Sequence, residues 1–173
     1  MNEVIQAMME RRSCRAYLDK PVPQELLDEV LLAGTYAANG RAKQAGKIVV
    51  LTKKEDIEPL ERMNAEIMEA PQSHPFYGAP VVLVVLADRN VRTCVEDGSL
   101  VLGNMMLAAH TLGLGSCWIH RARQEFDSPE GQDLLKKWGV SSDYIGVGHC
   151  ILGYAAEEPK PAAPRKADFI TMV

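Results

Sequence analysis

The chain has 173 residues, 47% of them apolar and 24% charged, with a formal net charge of -4. A chain of that length buries a core without disulfide staples, and ordinary apolar usage excludes a disordered, collagen-like or fibrous state. The acidic balance excludes nucleic-acid binding driven by bulk charge, so any anion site must be built locally.

Apolar residues at Val4, Ile5, Met8 and Met9 form a helical stripe that should end near Arg12. After the turn Pro21-Val22-Pro23, Leu26, Leu27, Val30 and Leu31 predict a second helix, with Pro23 in its first turn, running out before Asn39-Gly40. Lys47 to Thr52 is short and β-branched and reads as a strand. Ile57, Leu60, Met63, Asn64, Ile67 and Met68 predict a third helix, and the proline-rich stretch Pro71 to Pro80 a loop. Val81 to Ala87 is a continuous apolar run, the signature of a strand covered on both faces.

From Cys94 to Leu112 the chain is apolar nearly all round, which predicts a central, buried helix stopped by Gly113-Leu114-Gly115. Ser116 to His120 then reads as a strand. Ser128-Pro129 is an N-cap followed by proline at the first helical position, opening a helix to Trp138 and Gly139, and Tyr144 to Tyr154 is the last strand. Interleaved helices and strands predict an α/β or α+β sheet sandwiched by helices, in one domain over residues 1–173. The tail Glu157 to Lys166 carries three prolines and little apolar mass, so it must lie extended, on its own domain or on a neighbouring chain.

No apolar run approaches the ~20 residues of a membrane helix, and Met1-Asn2-Glu3 opens no basic-then-apolar leader. Cys14, Cys94, Cys117 and Cys150 are scattered without a C-x-x-C pair, and His74, His110, His120 and His149 lack metal-ligand spacing. The expectation is a cytoplasmic chain with reduced thiols, no metal, no membrane and no nucleic acid as partner. His110, on the buried helix, is expected as a core histidine.

The sharpest local feature is Arg11-Arg12-Ser13-Cys14-Arg15, three guanidinium groups and a hydroxyl around a helix end. Guanidinium forks grip phosphate bidentately, and the same cations also suit the negative end of a helix. Spacing leaves both readings open.

The run RRSCRAYLDKPVP after the first helix, the block NMMLAAHTLGLGSCWIH, and a terminal LGY followed by a proline-rich tail with Arg-Lys resemble, in order over nearly the whole chain, the nitroreductase family of flavoproteins. The resemblance implies an α+β sandwich, a mixed sheet flanked by helices, in a homodimer holding one FMN in each of two clefts shared between subunits, with an extended, intertwined C-terminal arm. It assigns Arg11, Arg12, Ser13 and Arg15 to the FMN phosphate, ribityl chain and pyrimidine edge, and Arg165, with Lys166 beside it, to a distal basic position closing on the phosphate. For Lys166, plain solubilising charge is the competing reading. Ser116-Cys117-Trp118-Ile119 match a strand whose backbone passes beside the isoalloxazine. Without the resemblance Trp118 reads as core, and Cys14 and Cys117, close to the inferred flavin, as redox-sensitive or inert thiols.

Many relatives carry Pro-Ser and then Asn-x-Gln-Pro-Trp after the second helix. Here stand Ala38-Asn39-Gly40-Arg41-Ala42-Lys43-Gln44-Ala45-Gly46, so Gln44 survives and the Pro-Trp does not. The resemblance places this loop, with Asn39, Gly40 and Gln44, near the partner's flavin. It implies an oxidoreductase that takes electrons from NADH or NADPH and passes them to a nitroaromatic, quinone or related small electrophile, the flavin carrying the hydride chemistry without an assigned catalytic side chain. The loop aromatics Phe76 and Tyr77 are read either as part of the cleft wall or as anchors of a surface connection. The alternative function is a flavin- or phosphorylated-metabolite-binding protein without redox turnover of its own.

Overall fold

The computed structural model describes residues 1–173. Helices and strands follow in the order α1 (Glu3–Glu10), α2 (Gln24–Thr35), β1 (Gly46–Leu51), α3 (Lys54–Ile67), β2 (Val81–Asp88), α4 (Cys94–Thr111), β3 (Gly115–Ile119), α5 (Ala122–Asp127), α6 (Pro129–Lys137) and β4 (Tyr144–Gly153). Every helix and strand expected from the sequence is present within a few residues of its expected ends. The short α5 was not expected. Its sequence ARQEFD turns Ala122, Glu125 and Phe126 inward, and a charged residue at an inward position hides the apolar stripe.

The sheet runs β1-β2-β4-β3, each neighbouring pair antiparallel. Its only parallel pairing is a single bridge, Ser13 to Ser116, outside β3. β2 and β4 occupy the middle, so the run read as doubly covered is indeed buried along its length. Alternation then divides the core in two. Leu83 and Val85 of β2 face α2 and α4, meeting Leu27, Val30, Leu102 and Met105. Val82, Val84 and Leu86 face α3, α5 and α6, meeting Leu60, Met63, Phe126 and Leu135. Fully burying side chains of this size stabilises the fold by about 1.5–3 kcal/mol each before chain entropy is set against it.

The register of β2 on β4 shifts between Val85 and Leu86, which face Gly148 and Gly146. The extra residue, Val147, makes a bulge that reverses which side chains of β4 point to each face. Ile145 and Val147 pack toward α4 before it, and Cys150 and Leu152 after it. His149 is thereby turned toward α5.

Not every helix is packed this way. α1 carries an apolar stripe yet buries no residue, leaving Val4, Ile5, Met8 and Met9 exposed. Past Ala155, which bridges to Tyr17, the chain has no regular structure and lies exposed to its end, with Phe169, Ile170 and Met172 in the open.

Candidate active site

The α1 helix ends at Glu10, and the chain straightens into an extended strap over residues 11–18. Two neighbours hold it. Cys14 N–H donates to Ser116 O (2.9 Å) on the β3 side, while Leu18 N–H donates to Tyr154 O and Ala156 N–H to Ala16 O, both at 2.9 Å, on the β4 side. Lys20 Nζ lies 3.9 Å over the Tyr154 ring, a cation–π contact that pins the strap's far end. Gly115 is required for this closeness, because a Cβ there would stand 2.7 Å from Cys14 Sγ. The Tyr17 hydroxyl donates to Cys14 O (2.9 Å), and its pKa is raised far above the ordinary phenol value, first by burial and then by the neighbouring thiols. It stays protonated.

Strap, β3 start and tail together enclose a cleft of about 700 Å³. Arg11, Arg12, Ser13 and Arg15 line one side, His110 and Gly113 to Ser116 another, and Glu157 to Pro161 the third. Arg12 shows that both readings of the basic cluster hold: its Nη1 caps α1 by donating to Met9 O (2.6 Å) and Arg11 O (2.7 Å). Its Nε is buried and unpartnered. So are Arg11 Nη1 and Ser116 Oγ. None of the arginines in the cleft forms an ion pair within the chain. Buried donors are nearly always satisfied, and leaving one bare costs about 1–3 kcal/mol, so three orphans around one cleft indicate a ligand rich in acceptor oxygens and negative charge.

A second cleft, of about 410 Å³, lies between α2 and β1 and shares no lining residue with the first. Asn39 and Gln44 line it, with Asp97, Gly34 and Ile48. The loop beside it is tightly folded. Gly40 N–H donates to the buried Asp97 Oδ1 (2.9 Å), Gln44 N–H donates to Asn39 Oδ1 (3.0 Å), and Arg41, Ala42 and Gln44 all take positive φ. A Cβ at Gly40 would stand 2.2 Å from Thr93 Oγ1, so the loop docks on the start of α4 only because this residue has no side chain.

The nitroreductase family profile matches residues 8–154. The chain belongs to the nitroreductase family. A solved nitroreductase with bound FMN from Bacteroides fragilis is 30% identical and superposes with a TM-score of 0.92, covering 100% of both chains. Another with bound FMN, from Desulfitobacterium hafniense, is 28% identical with a TM-score of 0.88, covering 100% of this chain and 99% of that one. The FMN reductase [NAD(P)H] of Bacillus subtilis is 27% identical over 96% of this chain and 72% of its own.

Within this chain, the residues singled out from sequence fall into three places. Arg11, Arg12, Ser13 and Arg15 meet in the first cleft, and Asn39 and Gln44 in the second, with Gly40 docked on Asp97 beside it. Cys117 and Ile119 turn their side chains into the core among Phe126 and Leu60, so only their main chain is open to a ligand; Trp118 is half-buried against α4. Arg165 and Lys166 are exposed and line neither cleft, Arg165 donating to Ala163 O.

Two readings are corrected. Phe76 is no cleft wall but a core residue beside the His149 ring, because its loop folds under the sheet. His110 is no buried core histidine: it sits half-buried in the last turn of α4 and faces the arginine cleft. Sequence reasoning also missed Ser116 Oγ and the Glu157 to Pro161 wall. For Ser116 the signal was present in Gly113-Leu114-Gly115, which marks a close backbone approach immediately before it.

Proposed function

We propose that this nitroreductase is an FMN-dependent NAD(P)H oxidoreductase that seats the FMN phosphate in the arginine cleft and passes electrons from NADH or NADPH to a nitroaromatic, quinone or related small electrophile. The observation that carries the reading is the set of orphaned donors, Arg11 Nη1, Arg12 Nε and Ser116 Oγ, on residues that line one cleft. Their chemistry fits the group. A dianionic phosphate supplies the acceptors that these donors lack, and Arg15 and Ser13 add further charge and a hydroxyl.

Bound FMN supplies the hydride chemistry. The chain's own residues bind, orient and shield. Arg11, Arg12, Ser13 and Ser116 hold the phosphate end, and the strap's bonds to Ser116 and Tyr154 keep those donors preorganised. The donor leaves before the acceptor enters the same space, giving two half-reactions.

The active unit is a homodimer. The bare apolar stripe of α1, Leu32 and Tyr36 of the α2 region, and the tail's Phe169, Ile170 and Met172 are large apolar side chains left exposed in the single chain. A second copy covers it, bringing the loop 39–44 of one subunit toward the flavin of the other and giving Arg165 and Lys166 a phosphate to approach. The chain works in the cytoplasm.

The test is optical and kinetic. Purified protein reconstituted with FMN should show a bound-flavin visible spectrum, bleach on anaerobic addition of NADH or NADPH, and recover its colour on adding an electrophile. Steady-state lines for varied donor and acceptor should be parallel. A flavin spectrum that reduced nicotinamide leaves untouched would favour a binding protein without turnover, and intersecting lines would overturn the shared space.

A further inference from the structure

Beneath the sheet, on the side away from α4, lies a connected polar network that the reading above does not use. Asn64 of α3, wholly buried, donates through Nδ2 to His120 O (2.8 Å) and to Glu125 Oε1 (2.5 Å), and accepts at Oδ1 from Arg121 Nε (2.9 Å). Glu125 Oε2 lies 2.5 Å from His149 Nε2, and the His149 ring is flanked by Phe76 and Phe126. The two oxygens of Glu125 thus join Asn64 of α3 to His149 of β4, and Arg121 enters the network through Asn64. His149 Nδ1 has no partner.

This network converges on one peptide. Asn64 grips the carbonyl of His120 and the guanidinium of Arg121, and Arg121 is held at φ 80°, a left-handed conformation that a residue with a Cβ adopts reluctantly. Glycine would take that conformation freely. The sequence instead spends an arginine there, whose side chain locks the turn to α3.

The locked turn lies at the end of an open edge. β3 is the outermost strand, paired only with β4, and the strap covers its outer side only at Ser116. Trp118 shares Ser116's main-chain orientation by the two-residue period, Arg121 N–H lies trans to the His120 carbonyl that Asn64 holds, and no loop or strap group accepts from either N–H. From Ser116, in the arginine cleft, to His120 is four residues, roughly 13 Å at 3.3 Å per residue, comparable to the reach of a five-carbon ribityl chain and part of a fused ring.

We infer that Asn64 and Arg121 are positioning residues for the flavin ring, fixing the His120–Arg121 peptide at the far end of the β3 edge so that its N–H, carried by Arg121, meets the ring once the phosphate is seated in the cleft. The inference rests on the FMN reading above. Donors held in place there stabilise the charge that the ring gains on reduction more than they stabilise the oxidised ring. A merely structural network would alter stability and leave that difference alone.

The decisive measurement is the midpoint potential of bound FMN in Arg121→Gly, a substitution that keeps the left-handed backbone accessible while deleting the anchor, and in Asn64→Leu. We expect the ratio of affinities for reduced and oxidised FMN to fall at least tenfold in Arg121→Gly, a drop of about 30 mV for a two-electron couple. Arg121→Lys, which can still donate to Asn64 Oδ1, should recover part of it. A ratio within twofold of the unsubstituted protein, with FMN still bound, overturns the inference and leaves the phosphate cleft standing. If Asn64→Leu does not fold, Arg121→Gly decides alone. Should the unsubstituted protein take up no FMN, both readings fall together.

Discussion

The two ends of the polar inventory are handled in opposite ways. Around the strap, buried donors of Arg11, Arg12 and Ser116 stand bare, α1 exposes its apolar stripe, and the tail lies open. Around Asn64, Glu125 and His149, equally polar groups are buried deeper and all but one atom, His149 Nδ1, have a partner. Burial makes unpaired donors and acceptors expensive in both places, so the contrast shows which region is complete within one chain and which awaits something from outside it. The α3/α5 side is finished within one chain; the strap side is not.

If the finished side holds itself together, removing one member should hurt most there. Glu125→Leu strands both Asn64 and His149 and is expected to destabilise the protein by about 3–5 kcal/mol. For a chain of this size that is a fall in Tm of roughly 10 °C, measurable by calorimetry on flavin-free protein. A loss under about 1 kcal/mol would mean that the network is no more integral than a surface pair. On the unfinished side, the α1 face proposed as the subunit contact offers the next largest effect. Met8→Asp, which puts a charge on the stripe of α1, should weaken self-association by tenfold or more in sedimentation equilibrium, as expected when a side chain worth about 1.5–3 kcal/mol of burial is lost. Unchanged association would place the subunit contact elsewhere.

The smallest effect lies on the seam between the regions. Cys150, wholly buried in β4, has its thiol pushed up to about 12 from 9.0, mainly by burial and secondarily by Cys117, with Arg11 pulling it down. A thiol whose folded value exceeds its unfolded one contributes stability that is complete below pH 9.0 and is lost as pH climbs toward 12, because the unfolded chain releases its proton first. The slope is at most about 1.4 kcal/mol per pH unit. Cys150→Ala should flatten that alkaline limb in urea titrations at pH 8 and pH 10, and an unaltered slope would assign it to other groups.

The contrast also explains what could be read from the sequence. Local physics carried the elements: Val81 to Ala87 announced a strand buried on both faces, Ser128-Pro129 announced a capped helix whose Ser128 Oγ does accept from Gly131 N–H (3.1 Å), and the all-round apolar segment from Cys94 announced α4. The arginine cluster was legible because Arg11, Arg12, Ser13 and Arg15 are contiguous and their chemistry needs no distant partner to be recognised. The network was not. Asn64, Arg121, Glu125 and His149 come from different elements, and the facing of His149 depends on the bulge at Val147, which no alternation pattern foretells. Likewise α5 was hidden by the very Glu125 that the network requires, and the clustering of Ser116, His110 and the tail around the strap follows from strand order, set by long-range pairing.

The claim on which the account turns is that the strap recognises a phosphate. Titrating flavin-free protein with FMN and with riboflavin, for the unsubstituted chain and for Arg11→Ala, tests it most directly. FMN should bind at least tenfold more tightly than riboflavin, and the preference should shrink by tenfold or more in Arg11→Ala, matching the loss of a charge-assisted bond worth about 1.5–3 kcal/mol. Equal affinity for the two flavins, or a preference that survives Arg11→Ala intact, would contradict it.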